Sequence, residues 1–287
     1  MTKTIEMINL TKTQIDKLDR KNTVFVNVVS PIEVHGPHLP LGSDLMAAKE
    51  YMKRTCNLIT NFTIIHIEDL PIGAHVLPSG GSMPVHYRTI KKIVIGWGTK
   101  LKDMGFKHWI IFNGHGGADH MLALKEASIQ LRKKGFNLVV PFLNIFNEMQ
   151  KHHTNLNLPI GSDGDINDFH AGTNETSVML AINKSKVSNE YKSLKKYFPK
   201  RKSGLGNFLR LFRENDMATV SDWTNDPESK YYIGNPSIAN IKDGELMINY
   251  HVKRSIEIFK HSIQNGYIPP KLFSPFLTLL LKIVPEW

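Results

Sequence analysis

Residues 30–44 read Ser30-Pro-Ile-Glu-Val-His-Gly-Pro-His-Leu-Pro-Leu-Gly-Ser-Asp44, a Pro- and Gly-rich stretch that holds two carboxylates and two imidazoles. The apolar, β-branched run at 24–29 comes directly before it and predicts a strand, and a helical pattern begins at Asp44. The polar groups therefore lie at the carboxyl end of a strand, where open α/β sheets bind ligands. Carboxylate oxygens and imidazole nitrogens together suit Zn²⁺, Mn²⁺ or Fe²⁺.

Strand and helix patterns alternate along the rest of the chain. Short apolar runs predict further strands at 63–67, 109–112 and 138–142. Helical patterns cover 12–20, 45–58, 87–104, 119–134, 178–182 and 245–264. Repeated βαβ units favour an α/β fold with a mainly parallel sheet and helices on both faces. At 287 residues and 41% hydrophobic content, we expect a single domain over residues 1–287.

The charge of the chain is strongly basic and unevenly spread. Lys and Arg number 36 against 26 Asp and Glu, which gives a formal charge of +10 and raises nucleic acid or anionic membrane as partners. Eight basic residues and one acidic residue fall between 184 and 202. We interpret this run as a solvated face, and the irregular segment 184–233 as a basic insertion.

The cysteine content and the sequences near both ends of the chain bear on the cellular location of the protein. The single Cys56 excludes an intramolecular disulfide and fits a reducing cytosol. The first residues lack the apolar core of a signal peptide, so a cytoplasmic location is expected. The apolar stretch at 276–284 is far shorter than the ~20 residues of a membrane span. It predicts a terminal helix packed on the core or on a neighbouring subunit, with peripheral membrane contact as the less favoured alternative.

Two more polar clusters follow the same pattern as the first. Asn113-Gly-His-Gly-Gly117 comes after the strand at 109–112, and His170-Ala-Gly-Thr-Asn-Glu-Thr-Ser177 opens a helix. Taken singly, His115 could be a turn histidine, and Glu175 could be a first-turn acid that favours the helix dipole. Together with residues 30–44, however, they supply a usable metal-ligand set at one predicted edge of the sheet.

These three motifs, in this order, resemble the signature motifs of the creatininase (creatinine amidohydrolase) family. Gly234-Asn-Pro-Ser-Ile-Ala239 and Gly244 resemble the family's C-terminal Gly-x-Pro-x-x-Ala segment. The resemblance implies a three-layer α/β/α sandwich, two divalent metal ions per subunit and a homo-oligomer, often a hexamer. It also implies hydrolysis of C–N amide bonds other than ordinary peptide bonds.

The resemblance also implies a set of site residues in this sequence. Asp44 would bridge the two ions, and zinc is preferred, with manganese or iron as alternatives. Ions ~3.5–4 Å apart lower the pKa of a shared water, so that a bridging hydroxide attacks the polarised amide carbon. The implied metal ligands are Glu33, His35, Asp44, His115 and Glu175.

A titratable group must then protonate the leaving nitrogen. His170 is the candidate catalytic acid, because imidazole changes charge near neutral pH. An equally weighted alternative is that His170 holds the metal ligands in position. His38 is expected to support the metal ligands, contact substrate or fix the loop rather than to be a sixth ligand, and Gly116 and Gly117 let backbone approach metal or substrate closely.

Departures from the family pattern leave the substrate open. Ala118 stands where Asn is usual, Val34 where Gln is frequent, and residues 77–82 differ from a typical Phe-Pro-Gly-Thr loop. We expect a small cyclic or linear amide. The alternatives are a formamide deformylase acting on a nucleotide-derived substrate and a hydrolase that processes modified peptides. A nucleic-acid-binding protein with a vestigial metal site is the alternative from another class, and it is disfavoured because no nucleic-acid motif accompanies the basic run.

Overall fold

A computed structural model describes residues 4–151, 168–200 and 202–283. Five strands form one fully parallel sheet in the order β1-β3-β2-β4-β5. The strands are β1 (Ile5–Glu6), β2 (Thr23–Val28), β3 (Thr63–His66), β4 (His108–Phe112) and β5 (Asn137–Val139). Every residue of the central strands β2 and β4 is buried. Parallel sheets need cover on both faces, which is why these strands are apolar almost throughout.

Helices supply that cover and form two hydrophobic cores, one on each face of the sheet. Phe25 and Trp109 point into the core with helices α1 (Lys12–Asp16), α3 (Tyr87–Asp103) and α4 (Ala118–Lys133). Val24 and Val26, on the alternate positions, point into the core with α2 (Ser43–Cys56), α6 (Thr173–Asn183) and α9 (Ile241–Asn265). The fold is therefore the three-layer α/β/α sandwich that the sequence predicts.

The register of β2 and β4 brings their following loops together. Val28 pairs with Phe112 at the carboxyl ends of the two strands. Just beyond this pair, Ser30 Oγ donates to Asn113 Oδ1 at 3.0 Å and accepts the Gly114 N–H at 2.9 Å. These buried hydrogen bonds fasten the first two sequence motifs to each other at one edge of the sheet.

Some predicted boundaries are wrong for local reasons. The strand predicted at 138–142 ends at Val139, and helix α5 (Pro141–Lys151) begins two residues later. Proline favours the first turn of a helix, and periodicity alone cannot separate a short buried strand from a buried helix. The helix predicted at 12–20 ends at Asp16, although the capping box at Thr11 is present. The sequence also predicts a polar loop at 161–168, before the third motif, and most of it lies outside the described residues.

The segment 184–233, interpreted as an irregular insertion, contains two further helices, α7 (Gly204–Leu211) and α8 (Asn215–Thr224). Buried Asp222 joins them, because its carboxylate accepts the Ser203 N–H at 2.7 Å and pairs with Arg210. The predicted terminal helix is confirmed as α10 (Pro275–Ile283), whose Leu277 and Leu281 pack on α4.

Candidate metal centre

The structure brings all five side chains of the predicted ligand set to the carboxyl edge of the sheet. Glu33 and His35 lie in the loop after β2, and Asp44 lies in the first turn of α2. His115 follows β4, and Glu175 lies in the first turn of α6. Each group thus comes from a strand end or a helix start, as the motif spacing predicts.

Asp44 lies between two groups of donors and faces each with a different oxygen. Its Oδ2 is 3.1 Å from His115 Nδ1, and Glu33 Oε2 is also 3.1 Å from the same nitrogen. Its Oδ1 is 3.2 Å from His35 Nε2, which is 3.7 Å from Glu175 Oε2. Within each group the donor atoms all lie within 4.8 Å of one another. One carboxylate therefore belongs to two candidate coordination sites.

These distances fit metal coordination better than ordinary hydrogen bonding. Two ligands with bonds of about 2.1 Å to one tetrahedral or octahedral ion lie about 3.0–3.4 Å apart. Glu33 Oε2 and Asp44 Oδ2 are buried and make no hydrogen bond among the described residues. Buried carboxylate oxygens are costly when unpaired, and a cation between them removes that cost. The donor set fits two divalent cations that share Asp44.

Hydrogen bonds on the far side of the two imidazoles fix which nitrogen faces the centre. His35 Nδ1–H donates to the Glu33 carbonyl at 3.0 Å, which leaves Nε2 for the ligand group. His115 Nε2–H donates to the Ala74 carbonyl at 3.1 Å, which leaves Nδ1. The Leu77 N–H donates to Glu33 Oε1 at 2.7 Å and holds that carboxylate in place. Such outer contacts orient metal-binding side chains.

Electrostatics at the centre favour positive charge. Burial alone would lower the pKa of His35, but the charge and hydrogen bond of Asp44, together with Glu175, raise this pKa to about 10. Glu33 and Asp44 raise the pKa of His115 in the same way against burial. Burial raises the pKa of Glu175. Burial also opposes the ionised form of Asp44, but the neighbouring histidines hold its pKa well below the ordinary value. The carboxylates thus stabilise cations at this position.

Glycines in the second motif allow its backbone to approach the centre. A Cβ on Gly117 would lie 2.2 Å from His115 Nε2 and 2.7 Å from the His75 carbonyl oxygen. A Cβ on Gly116 would meet only the Phe146 ring, at 3.3 Å. Both glycines line the cavity beside the ligand groups. Gly117 is therefore needed for the position of His115, whereas Gly116 has more room.

His170, the predicted catalytic acid, lies beside the ligand groups and lines the cavity. Its Nε2–H donates to the Val34 carbonyl at 2.7 Å, and its ring lies 4.2 Å from that of His35. It also forms a third donor group with Glu33 and His35. His170 is therefore placed within reach of the site in either of its two predicted roles.

His38, the predicted loop-fixing residue, lies outside the three donor groups found among the described residues. Its Nε2 shares a hydrogen bond with Thr176 Oγ1 at 2.8 Å, which ties the first motif to α6. Burial and the charges of His35 and His170 lower the pKa of His38 to about 4, so its ring is neutral at pH 7. These contacts support the predicted loop-fixing role.

A cavity of about 450 Å³ opens from the metal-ligand groups. Glu33, His115 and Glu175 line it. Helix α8 contributes Trp223, whose buried Nε1–H makes no hydrogen bond among the described residues. Arg213, which precedes α8, also lines the cavity. The space accommodates a small molecule with both polar and apolar parts.

Two residues that the sequence interpretation leaves outside the site line this cavity. Trp223 belongs to the segment interpreted as a surface insertion, and no local pattern distinguishes it from a core aromatic. His75, which lines the cavity at a left-handed φ of 56°, lies 2.9 Å through Nδ1 from Asp119 Oδ2. A non-glycine residue in this conformation often marks a functional site, but φ is not visible in sequence.

Among the helices of the described ranges, none has the length and apolar character to cross a membrane.

Comparisons with known proteins show the family and the fold of the chain. The sequence profile of the family Creatininase, described as creatinine amidohydrolase, matches residues 8–259. The chain is similar in structure to a Bacteroides fragilis NCTC 9343 protein provisionally assigned as a creatinine amidohydrolase, with 18% identity, a TM-score of 0.65 and coverage of 96% of this chain and 100% of that one.

A manganese form of creatininase is similar at 18% identity and a TM-score of 0.62, covering 91% of this chain and 99% of that chain. A Zn-Zn form of a creatininase point mutant has the same identity and coverage with a TM-score of 0.61. A comparison with curated protein sequences gives no match. The profile match covers most of the chain, so this protein belongs to the creatininase family.

Proposed function

We propose that the protein is a metal-dependent hydrolase that cleaves a C–N amide bond other than an ordinary peptide bond. The observation that carries the proposal is the position of Asp44, whose two carboxylate oxygens face two separate donor groups. In this proposal Glu33 and His115 hold one divalent ion, His35 and Glu175 hold the other, and Asp44 bridges them. Zinc is our first candidate for both ions, and manganese and iron are the alternatives.

The two ions, when bound, supply an activated water and a Lewis acid for the amide carbonyl. Side chains of the protein perform the other part of the reaction, which is protonation of the leaving nitrogen. His170 is fixed through Nε2–H by the Val34 carbonyl, so a proton for the leaving nitrogen would be carried on Nδ1. The His170 ring lies between those of His35 and Trp223, at 4.2 and 5.3 Å, which restricts its orientation.

The size and charge of the cavity guide the choice of substrate. A volume of about 450 Å³ suits a small cyclic or linear amide. Arg213 and Lys271 line the cavity, and both are exposed. These cations favour, as a second candidate, a formamide that carries a phosphate or another anionic group.

Several further proposals follow from the sequence motifs and family membership. We propose that residues 1–287 form one domain, with 184–233 as an insertion that contributes α8 to the cavity. We also propose a homo-oligomer, with a hexamer as the expected state, a cytoplasmic location and no nucleic-acid partner.

Metal restoration tests the proposed chemistry. The purified protein is stripped with a chelator, reloaded separately with Zn²⁺, Mn²⁺ or Fe²⁺, and screened by mass spectrometry against small lactams and formamides. We expect hydrolysis of at least one amide only after metal is restored.

Glu33→Gln and His115→Ala should each lose metal and turnover. The control Glu245→Gln, which alters an ion pair with Arg54 outside the donor groups, should keep both. Retained metal and turnover in both site variants would overturn the proposal.

A further inference from the structure

Two neighbouring helices expose large apolar side chains on the surface of the protein. They belong to α7 with the residue that follows it, and to α10. Leu211 is 80% exposed, Ile283 is 68% exposed and Leu279 is 58% exposed. We call this surface the apolar face, and it comprises the exposed Leu205, Phe208, Leu211, Phe212, Leu279 and Ile283 together with the half-buried Phe276.

The apolar face is continuous across the two helices. The rings of Phe212 and Phe276 stack at 4.1 Å with an angle of 13° between their planes, and the Phe208 ring lies 6.3 Å from Phe276. On α10, Phe276, Leu279 and Ile283 have the spacing of one helix side. The exposed residues thus form one surface rather than scattered single side chains.

Opposite sides of the same helices are buried, so both helices are amphipathic. Leu209 of α7 is buried, and Leu277 and Leu281 of α10 pack on α4. The carboxylate of Glu214, just after α7, accepts a hydrogen bond from Ser274 Oγ, whose oxygen in turn accepts the Leu277 N–H at 3.0 Å. The two helices are therefore held together on the body of the protein with their apolar sides outward.

Basic residues border this surface. Exposed Lys200 and Lys202 precede α7, Arg213 follows it, and Lys271 precedes α10. The whole chain carries a formal charge of +10. A second copy docked on the same face would bring these cations close to one another, whereas an anionic bilayer would neutralise them. Amphipathic helices with basic flanks bind at the interface between headgroups and acyl chains.

We propose that the apolar face docks the protein on the surface of an anionic lipid bilayer. The side chains of Leu211, Leu279 and Ile283 enter the upper acyl region, and the flanking cations contact anionic headgroups. Arg213 directly follows Phe212 of the apolar face and also lines the cavity of the metal centre. Docking therefore places the cavity next to the headgroup layer.

Vesicle sedimentation tests the docking directly on the full chain. The protein is mixed with phosphatidylcholine vesicles, with or without phosphatidylglycerol, and the bound fraction is measured at low and high salt. We expect binding to vesicles that contain phosphatidylglycerol, little binding to pure phosphatidylcholine, and release as salt rises. Absence of binding to the anionic vesicles at low salt would overturn the proposal.

Matched surface variants distinguish binding through the apolar face from non-specific binding through any exposed apolar side chain. Leu279→Ser combined with Ile283→Ser should weaken partitioning about tenfold, because two large apolar side chains no longer enter the bilayer. The control combines Leu58→Ser with Ile8→Ser, whose native side chains are 55% and 69% exposed elsewhere on the surface. This control should bind as the unmodified protein does, and circular dichroism checks that both variants remain folded.

Two outcomes of the variant experiment would contradict lipid docking. Equal vesicle binding by both double variants would show that the apolar face takes no part. A concentration-dependent oligomer, measured by light scattering, that only the Leu279→Ser/Ile283→Ser variant dissociates would assign the face to a second copy of the chain instead.

Discussion

Buried histidines in two parts of the molecule have pKa values that are shifted in opposite directions. At the metal centre, carboxylates overcome burial and raise the pKa of His35 to about 10 and that of His115 well above its ordinary value. Away from these carboxylates, burial lowers the pKa of His251 to about 4, where its ring stacks on Tyr51 at 4.3 Å. All three imidazoles are less than one-tenth exposed. Burial therefore does not decide the charge; neighbouring carboxylates do.

His120 makes the same point at close range. Its ring lies 5.4 Å from that of His115, but burial and the charge of His115 lower its pKa to about 3. Its Nε2–H donates to the Val29 carbonyl at 3.3 Å, and it belongs to none of the donor groups found among the described residues. Proximity to the metal-ligand groups therefore does not by itself make a histidine a candidate ligand. A candidate ligand is a histidine whose free nitrogen faces a carboxylate.

The largest expected effect comes from removing the shared carboxylate. Asp44→Asn should release both ions, because the amide cannot supply a charged oxygen to each donor group. We expect metal affinity to fall by more than about 100-fold, beyond the range typical of outer-shell partners. Inductively coupled plasma mass spectrometry after dialysis measures the ions retained per chain.

Asp69→Asn is the matched control for this variant. Asp69 is also a largely buried carboxylate beside a histidine, at 2.9 Å from His66, but it lies outside the donor groups found in the described ranges. Its substitution should leave the metal content unchanged. Equal metal contents of the Asp44 and Asp69 variants would contradict the assignment of Asp44 as the shared metal ligand.

Metal affinity should depend on pH because cations and protons compete for the same nitrogens. Without metal, the pKa of about 10 for His35 means that its ring carries a second proton at pH 7, which the ion must displace, and the pKa of His115 is raised in the same direction. Affinity should therefore rise with pH between about pH 6 and pH 8, by about tenfold per unit for each proton released. Calorimetry in buffers with different ionisation enthalpies counts these protons, and a pH-independent affinity would contradict the assignment.

The contrasting histidine, His251, should make the folded protein less stable in acid. The pKa of His251 is about 4 in the folded protein and about 6.5 when unfolded, so stability is lost as pH falls through this window. His251→Phe should reduce the loss between pH 7 and about pH 4.5 by on the order of 2 kcal/mol. Urea unfolding of metal-free protein measures it. His261→Phe, an exposed position on the same helix, should leave the pH dependence unchanged. Identical pH profiles for the two variants would contradict this interpretation.

A smaller effect is expected at the backbone that positions His115. Gly117→Ala places a Cβ 2.2 Å from His115 Nε2, so the imidazole must leave its present position beside Glu33 and Asp44. We expect a loss of metal affinity of about tenfold, measured by competition with a chromogenic chelator. Gly80→Ala, where a Cβ meets nothing within 4 Å, is the control and should bind metal normally. Unchanged affinity in both variants would show that His115 does not need its present position.

The sequence predicts the parts of the site that depend on chain order and side-chain type. Strand β2 and the first turn of α2 are predictable because an apolar run and a helical pattern surround residues 30–44. In parallel sheets the loops after neighbouring strands meet at one edge. This rule and the family motifs together are sufficient to predict that Asp44 lies beside His115.

Features that depend on long-range packing were not predictable. Trp223 reaches the cavity only because α8 packs on α7, and nothing in the local sequence indicates that arrangement. The pairing of His75 with Asp119 joins residues 44 positions apart. The apolar run at 138–142 contains the end of β5 and the start of α5 at Pro141. Because the whole run is apolar, its sequence does not show where the period of a strand changes to that of a helix.

The most direct test of the account is the position of metal in crystals of the zinc-loaded protein, located by anomalous scattering. We predict two peaks about 3.5–4 Å apart, one near each carboxylate oxygen of Asp44, with His115 beside one peak and His35 beside the other. A single peak, or peaks beyond coordination distance of Asp44, would contradict the shared-carboxylate centre.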